Sequence, residues 1–204
     1  MYNSKSFISI SRFLRVAALN AVIGTTLLGC VAAAVGVGAA SITSVDVVHD
    51  RRSLGEYFDD NAIELTLKQH ILRDSALRNN THLNGTSFNG ILLLTGEISD
   101  ESTKQQITNY ATNIDGVRQV VDETRIAGKT AFFSRTNDTW LTSKVKSMMF
   151  KNLKLDANRI KVKSEYGNVY LMGIVTAAEA DAATQIASSV RGVVRVVKVF
   201  EYQS

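Results

Sequence analysis

The sequence predicts an α+β chain built from two tandem copies of one small domain, each a three-stranded sheet covered by two helices. Two observations carry this expectation. First, residues 60–72, 88–98 and 115–126 reappear as 138–150, 166–175 and 191–202, at offsets of 78, 77 and 76, so the second half repeats the first. Second, within each copy the apolar residues recur at helical spacing, change to a β-rich run beside a Gly-containing turn, and then return to helical spacing.

The chain of 204 residues has room for two domains. Before them comes a segment of another kind: basic up to Arg15, uncharged from Val16 to Leu28, then Gly29-Cys30. This is the layout of a secretory signal, with a positive start, an apolar middle and a small residue before the cut. Leu27-Leu28-Gly29-Cys30 resembles a bacterial lipobox, whose cysteine is acylated after cleavage in front of it. Leu28 stands where that pattern usually has a smaller side chain. The competing reading is an uncleaved transmembrane helix, since no charge falls between Arg15 and Asp46 and a span needs roughly 20 residues. The half after Cys30 is Ala, Gly, Val and Ser, weak in apolar content, which favours the lipoprotein. Cys30 is the only cysteine, so it has no internal disulfide partner. Acyl chains on it would hold the protein to a bilayer, at about 0.8 kcal/mol per buried CH₂. Residues 1–29 thus read as signal peptide and 30–57 as lipidated N-terminus and tether.

The first domain is expected over 58–127. Ile63, Leu67 and Ile71 mark a helix over 60–72, with Asp60 as its N-cap. A strand near His82–Ser87 turns at Asn89-Gly90 into the Leu-rich strand that ends about Gly96. A helix from Asp100 to Ile114 follows, Gly116 suits a left-handed cap, and a last strand closes the copy by residue 126. After a linker at 128–136, the second domain over 137–204 repeats this order. Asp138 is read as the N-cap and Leu141, Val145 and Met149 as the helix core. A strand at Ile160–Ser164 and a turn at Gly167-Asn168 come next, then a helix from Ala177 to Val190 and a strand after Gly192.

The same residues narrow the function. The pI of about 9.2 suggests nucleic acid, yet from Cys30 onward there are 20 basic against 19 acidic residues. No basic stripe of the kind a nucleic-acid binder presents remains. His49, His70 and His82 have no nucleophile motif near them, and no metal-site spacing or phosphate-cradling loop is present. The reading is therefore not an enzyme, with no catalytic, metal or cofactor site. Charge separates the copies, however. Residues 50–129 carry 9 basic and 12 acidic side chains, whereas 130–204 carry 11 and 6. An anionic partner is expected to prefer the second.

On the 138–150 helix, at roughly 100° per residue, Lys144, Ser147 and Lys151 fall within roughly 40° of Trp140, at the edge of the core face. Trp beside Lys suits a bilayer interface, where the ring lies at headgroup depth and the ammoniums meet phosphates. Packing of Trp140 against the other unit is the alternative. Phe150 lies off the core face as a second apolar contact, with a fraying helix end as its plain reading. Lys154, Arg159, Lys161 and Lys163 extend the basic region, with a solvated charge run as the equal alternative for these four.

The order of elements, the strand ending at Gly96 or Gly173, and the Gly-Val runs at 116 and 192 resemble BON domains. With Cys30 and the run "NDTW" at 137–140, residues 24–202 resemble the dual-BON-domain outer-membrane lipoproteins of Gram-negative bacteria. That resemblance implies attachment to the outer membrane facing the periplasm, palmitate on Cys30 and a part in envelope integrity at the division site. It also implies binding of anionic, phosphatidylglycerol-like phospholipid through the second domain. Trp140, Lys144, Ser147, Phe150 and Lys151 are the expected lipid contacts. An adaptor that docks envelope assembly proteins is the alternative function.

Overall fold

The computed structural model describes residues 51–127, 133–153 and 155–203, with only the backbone of 133–136. Cys30, the signal segment, most of the tether and Lys154 lie outside the described residues. Those described belong to one compact unit, Val48–Ser204.

The elements run α1 (Leu54–Arg73), α2 (Ser75–Asn80), β1 (Thr81–Phe88), β2 (Ile91–Ile98), α3 (Glu101–Thr112) and β3 (Gln119–Ile126). The second copy follows as α4 (Phe133–Phe150), a 3-10 turn (Ala157–Arg159), β4 (Lys161–Glu165), β5 (Asn168–Val175), α5 (Ala177–Ser189) and β6 (Arg195–Tyr202). In each sheet the hairpin is antiparallel and the last strand lies parallel beside the second, giving orders β1-β2-β3 and β4-β5-β6. The parallel step needs a crossover, and α3 or α5 supplies it.

Each copy keeps its own core. Ile63 and Leu67 of α1 and Ile107 and Ala111 of α3 pack on Leu92 and Leu94 of β2. Leu141, Val145 and Met149 of α4 and Ala180, Ala183 and Ala187 of α5 pack on Val169 and Leu171 of β5. Strand side chains alternate between faces, so Ile91 and Leu93 point away from these helices. They meet Phe88, Tyr170, Met172 and Val199 in a third cluster shared by both copies. Covering on both faces is why β2 reads as the continuous run Ile91-Leu92-Leu93-Leu94, all buried. Around this shared core Lys161 reaches Glu64 at 2.8 Å, Asn89 donates to Glu201 at 2.6 Å, and Arg195 pairs with Glu123.

Several boundaries differ from the sequence expectation. The helix α1 starts at Leu54, inside the stretch read as tether, because Ser53 and Glu56 form a reciprocal capping box. The helix α4 starts at Phe133, inside the stretch read as linker. The second hairpin turns at Tyr166-Gly167, one residue early; both have positive φ, of 52° and 74°. The short α2 was not anticipated. Asp100 does cap α3, accepting from the Thr103 N–H at 2.8 Å.

Asp60 and Asp138 are not N-caps. Both lie within helices, buried, and both clamp a hairpin turn. Asp60 accepts from the Asn89 and Gly90 N–H groups at 2.7 and 2.9 Å and from Ser87 Oγ at 2.6 Å. Asp138 accepts from the Tyr166 and Gly167 N–H groups at 2.8 and 2.9 Å. The φ > 0 pairs Asn89-Gly90 and Tyr166-Gly167 suit tight hairpins, and each leaves N–H groups that a buried carboxylate satisfies.

Candidate functional site: the outer face of α4

The helix α4 is fixed from its inner side. Leu141, Val145 and Met149 are fully buried, Asp138 holds the turn, and Thr142 Oγ1 donates to Ser164 Oγ of β4 at 2.9 Å. Near its C-terminal end, Lys146 Nζ donates to the carbonyls of Ala157 and Ile160 at 2.5 and 2.6 Å. The same ammonium lies 5.5 Å from the centre of the Phe150 ring. A helix held this way presents its outer face without much internal freedom.

Four of the five expected residues, Trp140, Lys144, Ser147 and Phe150, lie on α4, and Lys151 follows its last residue. Trp140 is 50% exposed and Phe150 is 55% exposed. Lys144, Ser147 and Lys151 are exposed too. Ser147 Oγ donates to its own helix, to the Ser143 carbonyl at 2.8 Å. Its hydroxyl proton is therefore already committed, leaving the oxygen lone pairs outward. Just past the helix, Leu153 is fully exposed, at 102%. Sequence reasoning missed it, because Leu153 falls beyond the periodic segment.

The basic stretch after α4 does not extend the site as expected. Arg159 pairs with Asp156 and Glu179 at 3.3 Å each, Lys161 with Glu64 at 2.8 Å, and Lys163 with Glu165 at 3.8 Å. Their charge is partly neutralised inside the protein. Nor are the histidines alike: His70 stacks flat on Tyr110, ring centres 3.5 Å apart.

The tether meets the fold at a fixed place. Arg51 donates to the Ile174 carbonyl at 2.9 Å and forms two bonds to Glu179, at 2.8 and 3.1 Å. Burial by itself raises the Glu179 pKa, but the Thr176 N–H and Arg51 outweigh it and bring it down to about 2. Arg52 donates to Asp60 at 2.6 Å and lies 3.9 Å from the centre of the Phe88 ring. Burial also raises the Asp60 pKa, while Ser87, Gly90, Arg52 and Asn89 together hold it below the usual carboxylate range. Adjacent arginines thus attach the end of the tether to both copies.

Among the described residues no group of His, Cys, Asp or Glu is arranged to hold a metal ion, and no helix is long and apolar enough to cross a membrane.

Comparison with known proteins agrees with this architecture. The family model described as BON domain matches twice, over residues 59–128 and 137–204. The chain is 38% identical to a Haemophilus influenzae protein named outer membrane lipoprotein DolP, over 86% of this chain and 90% of that one. It is 33% identical to a 21 kDa hemolysin of Actinobacillus pleuropneumoniae, over 75% and 79% of the two chains. The C-terminal domain of CdsD, a structural protein of the type III secretion system of Chlamydia trachomatis, aligns at 12% identity with a TM-score of 0.28. That alignment covers 71% of this chain and 67% of that one, and its score is too low to inform the fold.

Proposed function

The chain belongs to the dual BON-domain outer-membrane lipoproteins, and we propose that it binds anionic phospholipid through the outer face of α4. One observation supports this reading above the others: Trp140 and Phe150 are exposed beside Lys144 and Lys151 on a helix whose inner face is buried. An exposed Trp has its indole N–H free for the headgroup region and its ring for the acyl boundary. Each ammonium near a charged surface contributes about 1 kcal/mol. Acylation of Cys30 supplies proximity, so these modest contacts suffice. The role is one of binding rather than catalysis, in support of outer-membrane integrity at the division site.

Vesicle flotation of Val48–Ser204, without the anchor, tests the reading. Binding is expected to phosphatidylglycerol-containing vesicles and not to purely zwitterionic ones, and Trp140→Glu abolishes it. Equal binding to both, or to neither, removes headgroup recognition and leaves docking to an envelope assembly protein as the better account of this face.

A further inference from the structure

We propose that the free edge of β1 is a docking site for an extended, acidic segment of a partner protein, which adds to the first sheet as a further strand. In each sheet only the middle strand is paired on both sides, so β1, β3, β4 and β6 are edges. Native proteins commonly guard such edges with short strands and charged side chains. Of these four strands, β1 alone contains no Asp, Glu, Lys or Arg.

The register shows which backbone groups of β1 turn outward. The Ser99 N–H donates to the Asn80 carbonyl at 3.1 Å. Antiparallel bonding alternates, so His82, Asn84 and Thr86 bond to β2, and Leu83, Gly85 and Ser87 face away from it. Ser87 is satisfied: its N–H donates to Glu64 at 2.8 Å and its carbonyl accepts from Lys161 at 3.0 Å. The N–H and carbonyl groups of Leu83 and Gly85 have no such partner among the described residues. They border a groove of about 570 Å³ between β1 and α1, with Leu65, Ile71, Leu72 and Leu83 in its lining. The second copy closes the matching edge. There β4 has 5 residues against 8 in β1, and Lys146 of α4 donates to the carbonyl of Ile160, the counterpart of Leu83. Lys68 holds the place of Lys146 on α1, yet it is exposed and makes no such bond.

Unpaired strand groups call for an extended backbone, and charge selects its chemistry. Lys68 and Arg78 both line the groove. Lys68 has no ion-pair partner among the described residues, and Arg78 holds only the Leu72 carbonyl, at 3.1 Å. The groove's one carboxylate, Glu64, is already paired with Lys161. A segment carrying carboxylates among apolar side chains therefore meets both cations and the apolar lining. A second copy, pairing β1 with β1, would instead set two cationic flanks against each other.

The test is binding of synthetic octapeptides to the full chain in detergent, followed by fluorescence anisotropy and by amide hydrogen exchange. A peptide of alternating valine and glutamate is expected to bind several-fold more tightly than its valine–lysine counterpart. It should slow exchange at Leu83 and Gly85 and leave Val162, on the edge of β4, unchanged. Lys68→Glu with Arg78→Glu should abolish the preference for glutamate; both positions are exposed, so folding is not at stake. Equal binding of the two peptides, binding of neither, or binding that leaves exchange at Leu83 and Gly85 unchanged would overturn the proposal. So would protection of both amides before any peptide is added, because the edge would then be covered by this chain or by a second copy of it.

Discussion

The helices α1 and α4 are copies that share one face and not the other. Inward, both set three apolar side chains against a sheet and a buried aspartate against a hairpin turn. Outward, α1 carries Leu54, Phe58, Leu65 and Leu72, and α4 carries Trp140, Lys144 and Phe150, with Lys151 just past its end. The substitutions are position for position: Ala62 becomes Trp140, Thr66 becomes Lys144 and Arg73 becomes Lys151. Duplication kept what the fold needs and let the outer faces of the two helices diverge. The carboxylates that hold the turns are the shared part, and Trp140 and Lys144 of α4 are the divergent part.

The largest expected effect strikes the shared inner face. Asp60→Ala leaves two turn N–H groups and Ser87 without their acceptor, and breaks the buried ion pair with Arg52. Breaking a buried pair of this kind costs about 3 kcal/mol or more. Asp138→Ala, which frees two turn N–H groups, should cost about 2 kcal/mol. Urea denaturation of both variants checks the order. Equal losses, or a larger one for Asp138→Ala, would contradict this order.

How much of this was legible in the sequence depends on where the information lies. The inner face of α4 is local: Leu141, Val145 and Met149 at intervals of four residues predict a buried stripe, and all three are buried. Repetition of that stripe at 63, 67 and 71 gave the two-domain architecture. The role of Asp60 is not local, because the turn groups it holds lie 27 to 30 residues along the chain. Read beside Asp59 it resembles a cap, and the true cap signature, Ser53-x-x-Glu56, sits seven residues earlier. That misplaced start also concealed the exposed apolar side chains of α1, the first two of which, Leu54 and Phe58, precede residue 60. The core shared by the two sheets was unreadable for another reason. A four-residue apolar run announces a strand without saying that both of its faces are covered. On α4, Trp140 and its lysines could be placed from periodicity, but the pairing of Arg159, Lys161 and Lys163 required the tertiary structure.

The divergent outer face yields the next effect in size. Lys144→Gln with Lys151→Gln should weaken binding to phosphatidylglycerol vesicles by about 2 kcal/mol, or roughly thirtyfold. Lys68→Gln with Arg73→Gln, a pair of cations on α1, should leave vesicle affinity unchanged. Cosedimentation at fixed ionic strength separates the pairs, and similar losses from both would erase the distinction between the helices.

Acidification brings the smallest effect, through the link that ties the tether to the second copy. Glu179 in the fold has its pKa depressed from 4.5 to about 2. Its contribution to stability is therefore complete above about 4.5 and is lost as pH falls from there toward 2. Arg51→Gln should flatten this part of the stability profile, measured by thermal melts between pH 5 and 3. An unchanged profile would show that Thr176 and Arg159 depress the Glu179 pKa without Arg51.

Trp140 is the only tryptophan in the chain, so its fluorescence reports on one position, at the centre of the claim that α4 meets the membrane. Titrating Val48–Ser204 with phosphatidylglycerol vesicles should shift its emission to the blue and make it quenchable by brominated acyl chains, whereas zwitterionic vesicles should change neither. Binding to anionic vesicles with the emission unmoved would contradict the account, because the protein would then meet the bilayer through some other face.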